Sequence, residues 1–183
     1  MKKTNIVKRS KFLSLVLRHQ PQKIGLTLDE SGWADVSELL TKMNDHGMAL
    51  TLEELDIVVN DNDKQRFKYS DDRKKIRASQ GHSLKVNLAL ASTQPPAILF
   101  HGTAKKNLDA IFRQGLLKRD RHHVHLTENT STALKVGERY GDPILLKIDA
   151  LAMYGDGFLF YCSDNHVWLT DTVPPQYIYI YEN

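Results

Sequence analysis

At 183 residues, 41% of them hydrophobic, the chain can bury one good core or two small ones, and a formal net charge of +3 is too modest to name a partner by itself. The single cysteine, Cys162, excludes an internal disulfide and a thiolate metal cluster and fits a reducing, cytoplasmic setting. Lys2, Lys3, Lys8, Arg9 and Lys11 interrupt any apolar run a signal peptide would need, and no stretch approaches membrane-spanning length, so a soluble protein without membrane association is expected.

Ile6, Val7, Phe12, Leu13, Val16 and Leu17 recur at helical spacing until Pro21 forbids continuation. An extended arm around the Ser31-Gly32 turn follows. Asp35 with Glu38 is a capping-box-like start for a second helix through Met43, and Thr51 with Glu54 starts a third that carries Leu52, Leu55, Val58 and Val59 on one face. The period then changes to two: "RFKYSDDRKKIRA" alternates on both sides of an Asp-Asp turn and predicts a hairpin. Helices followed by a basic hairpin are the layout of a winged helix, a common nucleic-acid-binding scaffold.

Charge supports that use. From Met1 to Leu28 there are seven basic residues and no acidic one, and between Lys64 and Lys85 the balance is net +6. Two basic segments in one half of the chain suit a polyanion, although solvated faces would look the same.

"ASTQPPA", residues 91–97, marks the expected boundary, because consecutive prolines stop helix and central strand alike. The expected domains are 1–92 and 97–183. "AILFHGT" predicts a buried strand running into a glycine turn, with Thr103 capping a helix that turns Leu108, Ile111 and Phe112 inward and stops at Gly115. "HVHLT" is a second strand, Thr132 to Tyr140 a helix ended by Gly141, and "PILLKI", "GFLFYC", "VWLT" and "QYIYIY" are further strands with little room for helices between them. The whole is an α+β protein with a strand-rich second half.

Within that half, His123 and His125 lie two apart in a strand, and His101 ends another beside Gly102, a residue that would let a ligand approach the backbone closely. Three histidines suggest zinc at first sight, but no carboxylate accompanies them, and strand-end histidines are commonly hydrogen-bonded polar residues; no metal is expected. Neither a Walker-type loop nor a Gly-x-Gly-x-x-Gly sequence is present. The remaining arginines and histidines suit phosphate, since guanidinium forks bind its oxygens and imidazole moves protons near neutral pH.

The ordered motifs "FLSLVLRHQP", "GWADV", "DKQRFKY", "IRASQGHS", "LFHGT", "RHHVHLT", "VGERYG" and "VWLT" resemble those of the Tpt1/KptA family of RNA 2′-phosphotransferases over essentially the whole chain. The resemblance implies an N-terminal winged-helix RNA-binding lobe and a C-terminal lobe of the ADP-ribosyltransferase fold that binds NAD⁺. It also implies an activity: removal of an internal RNA 2′-phosphate, as at a tRNA splice junction, through an ADP-ribosylated intermediate. NAD⁺ is consumed, no metal is needed, and a monomer is expected.

The family's Arg-His-Arg-Arg set falls on Arg18, His19, Arg66 and Arg121, with Arg119 the alternative to Arg121, and it places Arg18 and His19 at a cleft facing phosphate. A helix C-terminus favours cations anyway, but lysine would serve that purpose equally. On the NAD⁺ side the resemblance implies His101, Gly102 and Thr103, then His123 or His125, with Gly137 and Arg139 toward the adenylate or phosphate. Val167 stands where protein-modifying relatives carry a catalytic glutamate. Gly81, His82 and Ser83 would hold RNA or its phosphate, and Lys64, Lys68 and Arg77 the backbone nearby. In one departure, relatives commonly have glycine just before "VWL", where this chain has His166. The competing readings are an ADP-ribosyltransferase acting on phosphorylated nucleic-acid ends and a non-catalytic RNA-binding module.

Overall fold

The computed structural model describes residues 3–60 and 65–182. The chain divides into two compact units, Met1–Ala89 and Leu90–Asn183, and has α+β architecture.

In the first unit, α1 (Lys3–Arg18) buries Leu13, Val16 and Leu17 completely, whereas Val7, expected among its apolar residues, is 51% exposed. The helix stops because Pro21 opens a short 3-10 turn, which Gly25 closes with a left-handed φ of 64°. β1 (Ala34–Asp35) leads directly into α2 (Val36–Asp45), where the Asp35 carboxylate accepts the Glu38 N–H at 2.9 Å. α3 (Leu52–Asn60) opens on a reciprocal capping box: Thr51 Oγ1 accepts from Glu54 N and Glu54 Oε2 accepts from Thr51 N. β2 (Phe67–Tyr69) and β3 (Lys75–Ala78) form the expected antiparallel hairpin, and β1 adds to the far side of β3. Leu39, Met43, Leu55, Phe67 and Ile76 join the α1 residues in one core.

The second unit departs from expectation at its first strand. β4 (Ile98–Ala104) runs straight through Gly102 with no turn, and Thr103 is a strand residue rather than a helix cap. The reason lies elsewhere in the chain. A Cβ on Gly102 would sit 1.7 Å from the Ala133 carbonyl oxygen, so the glycine lets a helix backbone press on the strand. α4 (Leu108–Gln114) buries Ile111 and stops at Gly115, but Phe112 is 40% exposed, not inward.

After β5 (Leu116–Leu117) and β6 (Val124–Leu126) comes α5, which spans Thr130–Gly137 rather than starting at Thr132, because the Asn129 side chain accepts from Thr132 N at 2.8 Å. A 3-10 turn carries α5 on to Tyr140. β7 (Pro143–Asp149) is followed by an unexpected short helix, α6 (Ala150–Gly155), capped by Asp149. β8 (Phe160–Cys162), β9 (Trp168–Thr170), β10 (Thr172–Val173) and β11 (Ile178–Ile180) complete the chain. The strands pair antiparallel in the orders β11-β7-β4, β6-β9-β8 and β10-β5, and the Phe100–Thr127 bridge joins the edge of β4 to the segment after β6.

Candidate active site

In the first unit the helix end and the segment just before the hairpin converge. Arg18 Nη2 reaches the Arg66 carbonyl oxygen at 3.4 Å, and the same carbonyl accepts Ser79 N at 2.9 Å. His19 Nδ1 lies 2.9 Å from Ser83 Oγ, while Ser83 N donates to the Arg18 carbonyl at 3.0 Å. Arg18, His19, Arg66 and Ser83 are therefore one cluster, although Ser83 stands 64 positions from His19. Their side chains are half-buried or exposed, as groups that meet a ligand must be.

Other basic residues expected to hold RNA have different surroundings. Arg77 is only 8% exposed, its guanidinium lying 4.6 Å above the Trp33 ring, which ties β3 to the arm before β1. Such a residue supports the surface rather than forming it. His82 is 2% exposed and stands beside Gly32, just before Ser83 in the chain. Gly81, at φ 83°, makes the bend that seats this loop. Lys68 lies opposite Arg77 in the hairpin and is half-buried; Lys64 lies outside the described residues.

In the second unit His101 Nδ1 is 3.1 Å from the His125 carbonyl oxygen, so that nitrogen carries the hydrogen and donates. Burial pushes the His101 pKa below the ordinary histidine value, and the nearby Arg121 charge pushes the same way against the raising effect of the His125 carbonyl. The ring is thus neutral at pH 7 with Nε2 as an acceptor. Thr103 Oγ1 accepts from Asn107 Nδ2 at 3.1 Å.

The register of β6, β9 and β8 pairs His125 with Leu169 and Leu169 with Tyr161, so these side chains share one face, while Leu126, Trp168, Val124 and Phe160 fill the core on the other. His123, just before β6, packs its ring 5.6 Å from that of Tyr161. Its pKa is also lowered, first by burial, then by His122 and Lys118 against an opposing Asp171. Tyr161 was not among the expected site residues. The alternation in "FLFYC" carries the signal, since Tyr161 must face away from Phe160 and Cys162.

Gly137 packs against β4: a Cβ there would lie 2.7 Å from the Thr103 carbonyl oxygen. Arg139 is exposed on the turn after α5. Val167 donates its N–H to Ser163 Oγ at 3.1 Å in the β8–β9 turn, where the preceding His166 has a φ of 56°. A left-handed backbone explains why glycine suits that position. His166→Gly is expected to stabilise the protein by about 0.5–1 kcal/mol, read as a rise in Tm of roughly 2–4 °C; a fall in Tm would mean that the imidazole makes compensating contacts.

Among the described residues no group of His, Cys, Asp and Glu side chains could hold a metal ion, and no helix is long and apolar enough to cross a membrane. What the two units offer is a pair of arginines whose backbone and side chain meet next to His19 and, separately, a neutral histidine held by the His125 carbonyl, with His123 and Tyr161 ring to ring in the same unit.

The model of the RNA 2′-phosphotransferase, Tpt1/KptA family matches residues 4–172. A Flavobacterium johnsoniae protein named "Probable RNA 2'-phosphotransferase" is 58% identical over 175 residues, covering 95% of this chain and 96% of its own. Proteins of the same name from Rhodopirellula baltica and Trichormus variabilis are 54% and 49% identical, covering 94% and 98% of this chain and 95% and 99% of theirs. The chain belongs to the Tpt1/KptA family and is a transferase of the RNA 2′-phosphotransferase class.

Proposed function

We propose that the chain removes an internal 2′-phosphate from RNA, such as a tRNA splice junction, at the expense of NAD⁺, and releases nicotinamide, ADP-ribose 1″,2″-cyclic phosphate and RNA with a free 2′-OH. The observation that supports this reading is that the Arg18 guanidinium reaches the Arg66 backbone while Ser83 ties the neighbouring His19 ring and the Arg18 carbonyl together, which brings the helix end carrying Arg18 and His19 to the segment carrying Arg66. Residues 1–92 act as a winged-helix RNA-binding lobe and residues 97–183 as an ADP-ribosyltransferase-like NAD⁺-binding lobe. The protein works as a cytoplasmic monomer without a metal.

The second unit's residues fit NAD⁺. His101 Nε2 is an acceptor for a ribose hydroxyl or the carboxamide, and Thr103 is fixed by Asn107 next to it. His123, His125 and Tyr161 offer a flat surface for a flat ring. Gly102 and Gly137 serve this site by letting α5 press on β4, and Val167 and Arg139 border it. NAD⁺ supplies an electrophilic ribose carbon with nicotinamide as the leaving group.

In the first step the RNA 2′-phosphate forms a bond to C1″ as the bond from C1″ to nicotinamide breaks. A phosphate dianion is already ionised and needs orientation, not a base, which is consistent with Val167 standing in place of a glutamate. In the second step O2″ forms a bond to phosphorus, and the bond from phosphorus to the RNA oxygen breaks. Arg18, Arg66 and Arg121 hold the phosphoryl oxygens as charge builds, and His19 donates to the phosphate or carries the proton from O2″ to the departing RNA oxygen, which leaves as the 2′-OH. Gly81 and Lys68 line the RNA path, with Ser83 beside His19 and with Arg77 and His82 beneath the path, and Lys64 binds the RNA backbone.

The test is incubation of the protein with NAD⁺ and an RNA bearing one labelled internal 2′-phosphate, in chelator. Label is expected in ADP-ribose cyclic phosphate, with nicotinamide released in equal amount. Nicotinamide release only with 5′- or 3′-phosphorylated ends would reassign the protein as an end-modifying ADP-ribosyltransferase. Label left on RNA without nicotinamide release would leave a binding module.

A further inference from the structure

We infer that Ser83 acts on the reaction through His19, as the residue that positions its imidazole, rather than by contacting RNA. The inference rests on the proposed role of His19. Ser83 is bonded twice to the same dipeptide: its N–H holds the Arg18 carbonyl at 3.0 Å, and its Oγ lies 2.9 Å from His19 Nδ1. One residue thus fixes both the backbone of the pair and the plane of the ring.

With Nδ1 held by Ser83, the proposed reaction assigns Nε2 to the phosphate. A hydroxyl suits this place, because it donates to Nδ1 when the ring is neutral and accepts from Nδ1–H when the ring is protonated, so the ring keeps its orientation as its charge changes. A carboxylate could only accept, and would favour the charged ring. The loop is firm enough for the task, since the adjoining His82 is 2% exposed and Gly81 makes the bend before it. An exposed serine also tolerates substitution, so its variants are expected to fold.

The experiment measures kcat and KM for RNA in Ser83→Ala, Ser83→Thr, Ser83→Val, His19→Ala and the double variant His19→Ala/Ser83→Ala. Ser83→Ala is expected to lower kcat roughly 10-fold with KM for RNA unchanged. Threonine, which keeps the hydroxyl, restores most of the rate, and valine, of the same shape, does not. The double variant is expected to be no slower than His19→Ala alone, because a residue that works only through His19 has nothing further to lose. Additive losses beside a slow His19→Ala, or a raised KM at unchanged kcat, would overturn the role of Ser83 and make it an RNA ligand. A His19→Ala variant with the full rate would instead overturn the reading of His19, and the inference with it.

Discussion

Replacing Gly102 by alanine is expected to destabilise the second unit by about 3 kcal/mol or more and to lower Tm by roughly 10 °C. The new Cβ would stand 1.7 Å from the Ala133 carbonyl oxygen and 3.1 Å from Gly137 N, and both obstacles are backbone, which cannot rotate aside as a side chain can. α5 must therefore lift from β4 or β4 must bend. Either movement falls between His101 and Thr103, which flank the substituted position, so KM for NAD⁺ is expected to rise with the loss of stability. Gly155→Ala is the control: nothing lies within 4 Å of a Cβ built there, and that variant is expected to match or slightly exceed the parent in Tm. Thermal unfolding followed with NAD⁺ titration decides the matter, and an unchanged Tm for Gly102→Ala would mean that α5 does not bear on the strand.

Gly102 also shows where the sequence stops being legible. A glycine in an apolar run signals a turn, a bulge or a close approach, and only residues about 30 positions further on select the last. Separation in sequence also hides the setting of Arg77, which reads as one more cation in a basic stretch until Trp33 is found beneath it. Local chemistry fared better. Asp35 with Glu38 and Thr51 with Glu54 start their helices as expected, because a cap is decided within four residues, and the period-two pattern around Asp71-Asp72 gives its hairpin. α6 escaped because six residues are too few to display a period, though Asp149 was there to cap it. The grouping of Arg18, His19 and Arg66 was accessible only through the resemblance, since nothing in their spacing draws a helix end and a pre-hairpin residue together.

Arg66→Ala and Arg121→Ala are expected to slow the complete reaction by roughly 10²–10³-fold while nicotinamide is still released at a lesser penalty, so that ADP-ribosylated RNA accumulates. The asymmetry follows from charge. In the first step a phosphate that is already ionised loses negative charge as it bonds to carbon, and removing one cation costs orientation alone. In the second step five oxygens crowd phosphorus and the departing RNA oxygen gains charge, so each missing guanidinium is felt directly. Arg66→Ala keeps the contacts to Arg18 Nη2 and Ser79 N, because these are made by the Arg66 carbonyl, which alanine retains. Lysine at either position keeps the charge but not the planar fork, and is expected to recover only part of the loss. Rapid-quench analysis with RNA labelled at the 2′-phosphate separates the steps. Equal losses in both would make these arginines binding groups for the ground-state phosphate and would leave the second step to His19, whose alanine variant would then be the one that accumulates the intermediate.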